Sequence, residues 1–196
     1  MDTAISNHDI YLHIRVIIGV VLGLCLTRIL SGVSRMVQHP GRTKLYPTHL
    51  LWVAIILVSA VHFWWWEFAL IRIGPWRFEL FAFILFYAFL YYLLASLLFP
   101  DDLHEYAGYE DYFISRRTWF FALMGTTFVV DYIDTLTKGR GRLAELGPEY
   151  EVKLIVCIIL CGIAAWTRNQ RFHLAFAALY LLYYISWILR MFDELG

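Results

Sequence analysis

Charged residues are scarce in this sequence of 196 residues. Asp, Glu, Lys and Arg make up only 16% of it, against roughly 25% in a typical soluble domain. Hydrophobic residues account for 61% and aromatic residues for 18%, with a mean hydropathy of +0.62. A soluble fold of this length cannot bury so much apolar surface, so lipid must cover part of it. The composition therefore predicts an integral membrane protein, with one transmembrane domain over residues 1–196 and no separate soluble catalytic module.

The chain also lacks an excess of charge of either sign. Its 16 basic and 16 acidic residues give a net charge of zero. There is no basic field to attract a polyanion, so we expect no nucleic-acid partner. The partner that the composition does predict is the lipid bilayer.

Cysteines are few, and catalytic or cofactor motifs are missing. Cys25, Cys157 and Cys161 all lie in apolar runs without other soft ligands nearby, which is typical of small core residues. We find no nucleophile elbow, phosphate-binding glycine loop or zinc-protease motif. His49 and His62 lie on one predicted helix, about 3.6 turns apart, so they face nearly opposite directions and cannot form a stacked haem pair. We therefore expect no metal and no cofactor, and no motif supports an enzyme.

Long apolar runs dominate the sequence instead. Residues 50–66, which can continue to about residue 71, and residues 80–99 are long enough to cross a hydrocarbon core about 30 Å thick. Four further runs contain charged residues that can snorkel to the interface, so they too can cross. These runs are residues 16–36, 118–137, 152–167 and 172–192. The predicted fold class is an all-α integral membrane protein with a bundle of about six transmembrane helices, multi-pass, in a bacterial inner membrane.

The two halves of the chain, residues 11–100 and 112–192, resemble each other. Pro47 and Pro148, for example, lie 101 residues apart at matching places in the two halves. A repeat with an odd number of helices must be inverted in the membrane, as in many transport folds. The alternative is a chance match of generic hydrophobic segments. With six spans, eight of the sixteen basic residues lie on each face, so the positive-inside rule predicts no orientation.

The segment HFWWWEF, residues 62–68, contains three consecutive tryptophans. Successive helical residues are about 100° apart, so the three indoles cannot all line one pocket. Trp64 lies about 21 Å beyond Leu50 along the predicted helix, close to a polar turn, where an aromatic belt is expected. We interpret the triplet mainly as an interfacial anchor. Glu67 beside it has no basic residue three or four positions away, so its partner must come from the turn or from another helix.

Ionisable residues at membrane depth are the candidates for an ion or solute site. Asp131 and Asp134 are three residues apart and point to one side of the fourth helix, where they could bind a cation or relay protons. The alternative is an interfacial turn in which they pair with Lys138 or Arg142. Arg28 either snorkels, forms a structural ion pair or contacts the transported species. The remaining candidates are Glu67, His62 and Arg15.

The first predicted helix carries small residues at every fourth position. This spacing lets two helix backbones approach closely. The contact lies either within the monomer or across a homodimer or partner protein, and the sequence does not distinguish between them. The small residues are Gly19, Gly23, Thr27 and Ser31.

These features favour three functions in descending order. The first is a small transporter or channel for an ion or small solute, because of the suspected repeat and the ionisable residues at membrane depth. The second is a non-catalytic membrane subunit that docks a partner protein through helix–helix packing. The third is an intramembrane enzyme acting on a lipid or quinone, which requires a deep pocket where His62 meets an acid from another helix.

Overall fold

The structure, a computed structural model, describes residues 7–39, 41 and 44–191. All regular secondary structure in these residues is helical, which confirms the all-α prediction. A 3₁₀ segment, Glu67–Arg72, continues the second helix. The α-helices are α1 (Asn7–Gln38), α2 (Pro47–Trp66), α3 (Phe78–Leu98), α4 (Tyr109–Thr137), α5 (Arg140–Trp166) and α6 (Gln170–Met191).

Within the described residues, four helices are long and apolar enough to cross a membrane: α1, α2 with its 3₁₀ continuation, α3 and α6. This supports a membrane protein. Helix α4 is less apolar because it carries Asp131, Asp134 and several threonines, and three charged residues lie within residues 149–153 of α5. The count of six spans and the bacterial inner membrane stay predictions.

Two prolines determine where helices begin or bend. Pro47 occupies the first turn of α2, where its fixed φ suits a helix and its missing N–H is not needed. In α5, Pro148 disfavours a helical conformation for the residue before it. That residue is Gly147, which adopts a left-handed φ of 68° that glycine tolerates without strain. The bend separates a short first segment from the long apolar part of α5.

Helix α2 lies at the centre of the bundle, packed against α1, α3, α4 and α6. Its Trp52 is fully buried, and its ring contacts Phe120 and Phe121 of α4 and Phe176 of α6 at centroid distances of 5.2–5.3 Å. Aromatic pairs at such distances add stabilisation beyond their buried area. The core is therefore built largely from aromatic side chains around α2.

The helix pairing differs between the two halves of the chain. In the first half α1 packs along α3, whereas in the second half the corresponding helix α4 packs most closely along α5. This arrangement gives the inverted repeat no support, and the repeat stays a prediction. Phe192, the last residue of the predicted second half, lies outside the described residues.

Two glycines of α1 lie against aromatic rings. A Cβ added at Gly32 would overlap the buried ring of Phe99, and one added at Gly19 would lie 2.9 Å from the indole of Trp64. Gly32 is not part of the small-residue spacing found in the sequence. The other three members of that spacing are exposed on the surface of α1, and they are Gly23, Thr27 and Ser31.

We expect Gly32→Ala to lower the free energy of unfolding by about 1–3 kcal/mol, because the added methyl group must displace the Phe99 ring. Gly23→Ala is the matched control in the same helix. Apart from the nearby backbone of α1, no described atom lies within 4 Å of a Cβ added at Gly23, so we expect no loss, and at most the gain of about 1 kcal/mol that alanine has over glycine in a helix. Thermal unfolding of both variants in one detergent measures the difference. Equal melting temperatures would contradict this packing.

Candidate functional site

Two carboxylates and one lysine are buried together where α2 and α4 end; we call them the carboxylate–lysine cluster. The Lys138 ammonium donates to Glu67 Oε1 at 3.0 Å and to Asp134 Oδ2 at 2.6 Å. The three side chains, Glu67, Asp134 and Lys138, are only 3%, 0% and 2% exposed. The indole N–H of Trp66 donates to the same Asp134 oxygen at 2.9 Å. The partner that Glu67 requires thus comes from the end of α4.

The charges of this cluster depend on each other. Burial lowers the pKa of Lys138, but the carboxylates of Glu67 and Asp134 outweigh that effect and raise it above its ordinary value. Lys138 therefore stays protonated at neutral pH. One oxygen of each carboxyl group, Glu67 Oε2 and Asp134 Oδ1, is buried without a hydrogen-bond partner among the described residues.

Asp131 has a different set of partners, although it lies on the same side of α4 as Asp134. The hydroxyl of Tyr87 in α3 donates to its Oδ1 at 3.1 Å, and the hydroxyl of Tyr150 in α5 donates to its Oδ2 at 3.0 Å. The Tyr150 oxygen also lies 2.7 Å from Thr135 Oγ1. Asp131 thus joins three helices through neutral hydroxyl groups.

A cavity of about 40 Å³ lies beside Asp131 inside the bundle, and all helices except α1 contribute to its walls. His62 of α2 and Lys153 of α5 line it as well. One water molecule needs roughly 15 Å³ of such space, so the cavity accommodates water but no large solute. Aromatic side chains form much of the remaining wall, among them Phe63, Trp66, Tyr87, Tyr91, Tyr184 and Trp187.

The two basic side chains of the cavity are held by aromatic groups. His62 Nδ1 lies 2.9 Å from the hydroxyl oxygen of Tyr184 in α6. The Lys153 ammonium lies 3.6 Å from the centre of the Trp187 ring and 4.8 Å from that of Tyr150. Cation–π contacts of this kind stabilise a desolvated ammonium by about 2 kcal/mol. Lys153 lines the same cavity as Asp131 but forms no ion pair with it.

Arg28 and Arg15 lie outside this cavity. Arg28 donates to the carbonyl of Phe99 and pairs with Asp101, both at 2.6 Å, at the opposite end of α3 from Glu67. Arg28 thus forms an ion pair, which is one of the alternatives the sequence left open, with a carboxylate that is 88% exposed. The Arg15 guanidinium stacks on aromatic rings, including Phe68 at 4.1 Å from the ring centre. Of the predicted candidates, the structure groups the two aspartates with Glu67 and His62.

The three consecutive tryptophans have different environments. Trp66 is 4% exposed and donates to Asp134, so its interpretation as an interfacial anchor is wrong. Trp64 packs against Gly19 of α1 and is partly buried, as is Trp65. The helical rotation that prevents three indoles from lining one pocket also turns one of them into the bundle.

Several residues of the site were missed in the sequence. Lys153 lies at the start of a predicted span, so the argument from ionisable residues at membrane depth applies to it as well. Tyr150 is three residues before it and shares its side of α5. Tyr87 and Tyr184 carry no signal in the sequence, because tyrosines are common on all faces of these helices.

Comparison with protein-family models, curated proteins and solved structures finds no match. Among the described residues, no three His, Cys, Asp or Glu side chains lie close enough together to hold a metal ion. The function is therefore argued from the buried acids, bases and hydroxyls themselves.

We expect Lys138→Met to lower the free energy of unfolding by about 3–5 kcal/mol, because it leaves Glu67 and Asp134 buried without their common cation. Adding Glu67→Gln and Asp134→Asn to that variant should recover part of the loss. Arg190→Met is the control, since it breaks an ion pair with Glu149 in which both side chains are nearly half exposed. Thermal unfolding in detergent compares them, and equal losses for Lys138→Met and Arg190→Met would refute the role given to the cluster.

Proposed function

We propose that this protein is a small membrane transporter or channel that conducts protons, alone or coupled to an ion or small solute, with Asp131 as the proton-carrying group. The observation that carries the proposal is the position of Asp131 on an interior cavity shared by five helices. Acids buried inside membrane helix bundles commonly serve as proton relays.

The groups around Asp131 support a path for protons. The cavity brings His62 and Lys153 near the carboxyl group, and the Tyr150 hydroxyl links it to Thr135. The carboxylate–lysine cluster begins one turn further along α4, with Asp134, and extends about 10 Å from Asp131 along the helix axis to Lys138. The side chains of His62 and Lys153 and the hydroxyls of Tyr150 and Thr135 can each accept or donate a proton, whereas the cluster keeps its charges.

The size of the cavity supports a proton rather than a bulky solute. At about 40 Å³ it accommodates water molecules, which relay protons, but no metabolite. Transport of a larger species requires a second conformation with a wider opening. A proton path requires only rotation of hydroxyl groups and exchange of water.

We expect Asp131→Asn to reduce proton flux to the level of protein-free liposomes, because an amide cannot carry the proton. The measurement uses purified protein in liposomes with an internal pH-sensitive dye and a potassium-driven membrane potential. Glu105→Gln, on the exposed connection before α4, is the matched control and should leave the flux unchanged. Asp131→Glu should retain part of the flux. Normal flux through a correctly folded Asp131→Asn protein would contradict the proposal.

A membrane subunit that docks a partner is the second candidate. Its support is that three small residues of α1 are exposed together with apolar neighbours, which suits close packing against another helix. These small residues are Gly23, Thr27 and Ser31.

If this second function holds, native purification should yield a stoichiometric membrane partner or a homodimer. Gly23→Leu should abolish that assembly, because the larger side chain prevents backbone approach. Leu24→Ile, at an exposed apolar position about 100° round the helix from Gly23, should leave it intact. Light scattering measures the oligomeric state of the purified protein, and gel electrophoresis detects a second protein. A monomer without a partner argues against the subunit function.

A further inference from the structure

The wall of the interior cavity beside Asp131 is rich in oxygen atoms. Asp131 is the one acid among the described residues that line it, and the hydroxyl groups in the wall belong to Ser59, Tyr87, Tyr91, Thr127 and Tyr184. Oxygen atoms are the ligands that hard cations prefer. At about 40 Å³ the cavity has room for a sodium ion, which needs no more space than a water molecule. These oxygen atoms by themselves would therefore suit an alkali cation.

Lys153 brings a positive charge into the same cavity. Its ammonium lies 3.6 Å from the centre of the Trp187 ring and 4.8 Å from that of Tyr150, and these rings favour its charged form. The Tyr150 hydroxyl donates to Asp131 Oδ2 at 3.0 Å, so one tyrosine contacts both the ammonium and the carboxylate. Lys153 forms no direct ion pair with a carboxylate of the described residues. Its charge therefore acts on the cavity as a whole.

We propose that Lys153 is the specificity-determining residue of the Asp131 site. Its ammonium excludes alkali cations such as sodium from the cavity, and the proton is left as the cation that Asp131 carries. Like charges repel strongly where little water screens them, and the cavity has space for only a few water molecules. Positive groups that line a narrow path act as electrostatic barriers to other cations.

The ammonium of Lys153 affects a sodium ion and a proton differently. A sodium ion must exchange its water shell for several oxygen ligands and then remain in the small cavity beside the ammonium. A proton forms a covalent O–H bond with the carboxylate of Asp131 and needs no shell of ligands. The tyrosine hydroxyls on Asp131 can donate to the carboxylate or accept from the acid, so they serve both forms.

This inference rests on the proposed function, because it states which cation the Asp131 site carries. Its main test nevertheless measures sodium binding and no flux. Absence of proton flux through the wild-type protein would refute the proposed function, and the binding measurement would still decide whether Lys153 excludes sodium. The failure of one is therefore distinguishable from the failure of the other.

The test compares thermal unfolding of the full chain in detergent, in sodium chloride and in the same concentration of choline chloride. Choline is the control cation because it is too large for the cavity. The wild-type protein should melt at the same temperature in both salts. Sodium should raise the melting temperature of Lys153→Met by about 2–4 °C, the shift expected for a chain of this size at a few times the dissociation constant. Lys153→Gln, a second neutral variant, should respond in the same way.

Matched variants locate the effect. Lys153→Arg keeps the charge and should stay insensitive to sodium, as should Lys44→Met, which removes a lysine from an exposed connection. Adding Asp131→Asn to Lys153→Met should abolish the response. In liposomes, proton flux through the wild-type protein should be equal in sodium and in choline. Sodium stabilisation of the wild-type protein, no response of the folded neutral variants, an undiminished response without Asp131, or wild-type flux lowered by sodium would overturn the proposal.

Discussion

The contact between Lys138 and the two carboxylates connects the ends of α2 and α4, and the surrounding structure depends on it. Lys138 caps α4, where the partial negative charge of the helix end also favours an ammonium group. Its two partners come from different helices, so the ion pairs fix how the central helix α2 sits against α4. Burial of these groups is tolerated because the one ammonium binds both carboxyl groups, and removing one member leaves the others in an apolar environment. Trp66 completes the arrangement, with its N–H on Asp134 and its ring stacked on Tyr150.

This polar contact explains why α4 is less apolar than its neighbours and yet lies in the bundle. Its two aspartates face α2, α3 and α5: Asp134 accepts from Trp66 of α2, and Asp131 accepts from Tyr87 of α3 and Tyr150 of α5. A helix covered by other helices needs an apolar surface only where lipid reaches it. Hydropathy averaged over a whole helix does not separate the side that faces lipid from the side that faces other helices. The number of spans in this fold therefore depends on which sides of α4 and α5 meet lipid.

The apolar run of residues 80–99 predicted α3 well, because it covers nearly all of that helix. Helices α4 and α5 begin before the predicted spans, at residues 109 and 140 instead of 118 and 152, because both start in polar segments that hydropathy does not detect. For the site, the spacing of Asp131 and Asp134 predicted that both turn to the same side of α4. The pairing of Lys138 with Glu67 joins residues 71 positions apart, and only the packing of α2 on α4 brings them together.

The buried acids differ in how freely they can change charge. A proton added to Asp134 weakens the hold on the Lys138 ammonium, which is only 2% exposed, so protonation there destabilises the fold. Asp131 is held by the hydroxyls of Tyr87 and Tyr150, and each hydroxyl can donate to a carboxylate or accept from a carboxylic acid. Its protonation leaves no directly paired cation behind. Of Glu67, Asp131 and Asp134, Asp131 is therefore the acid that can gain and lose a proton without loss of an ion pair, and it is also the one that lines the cavity.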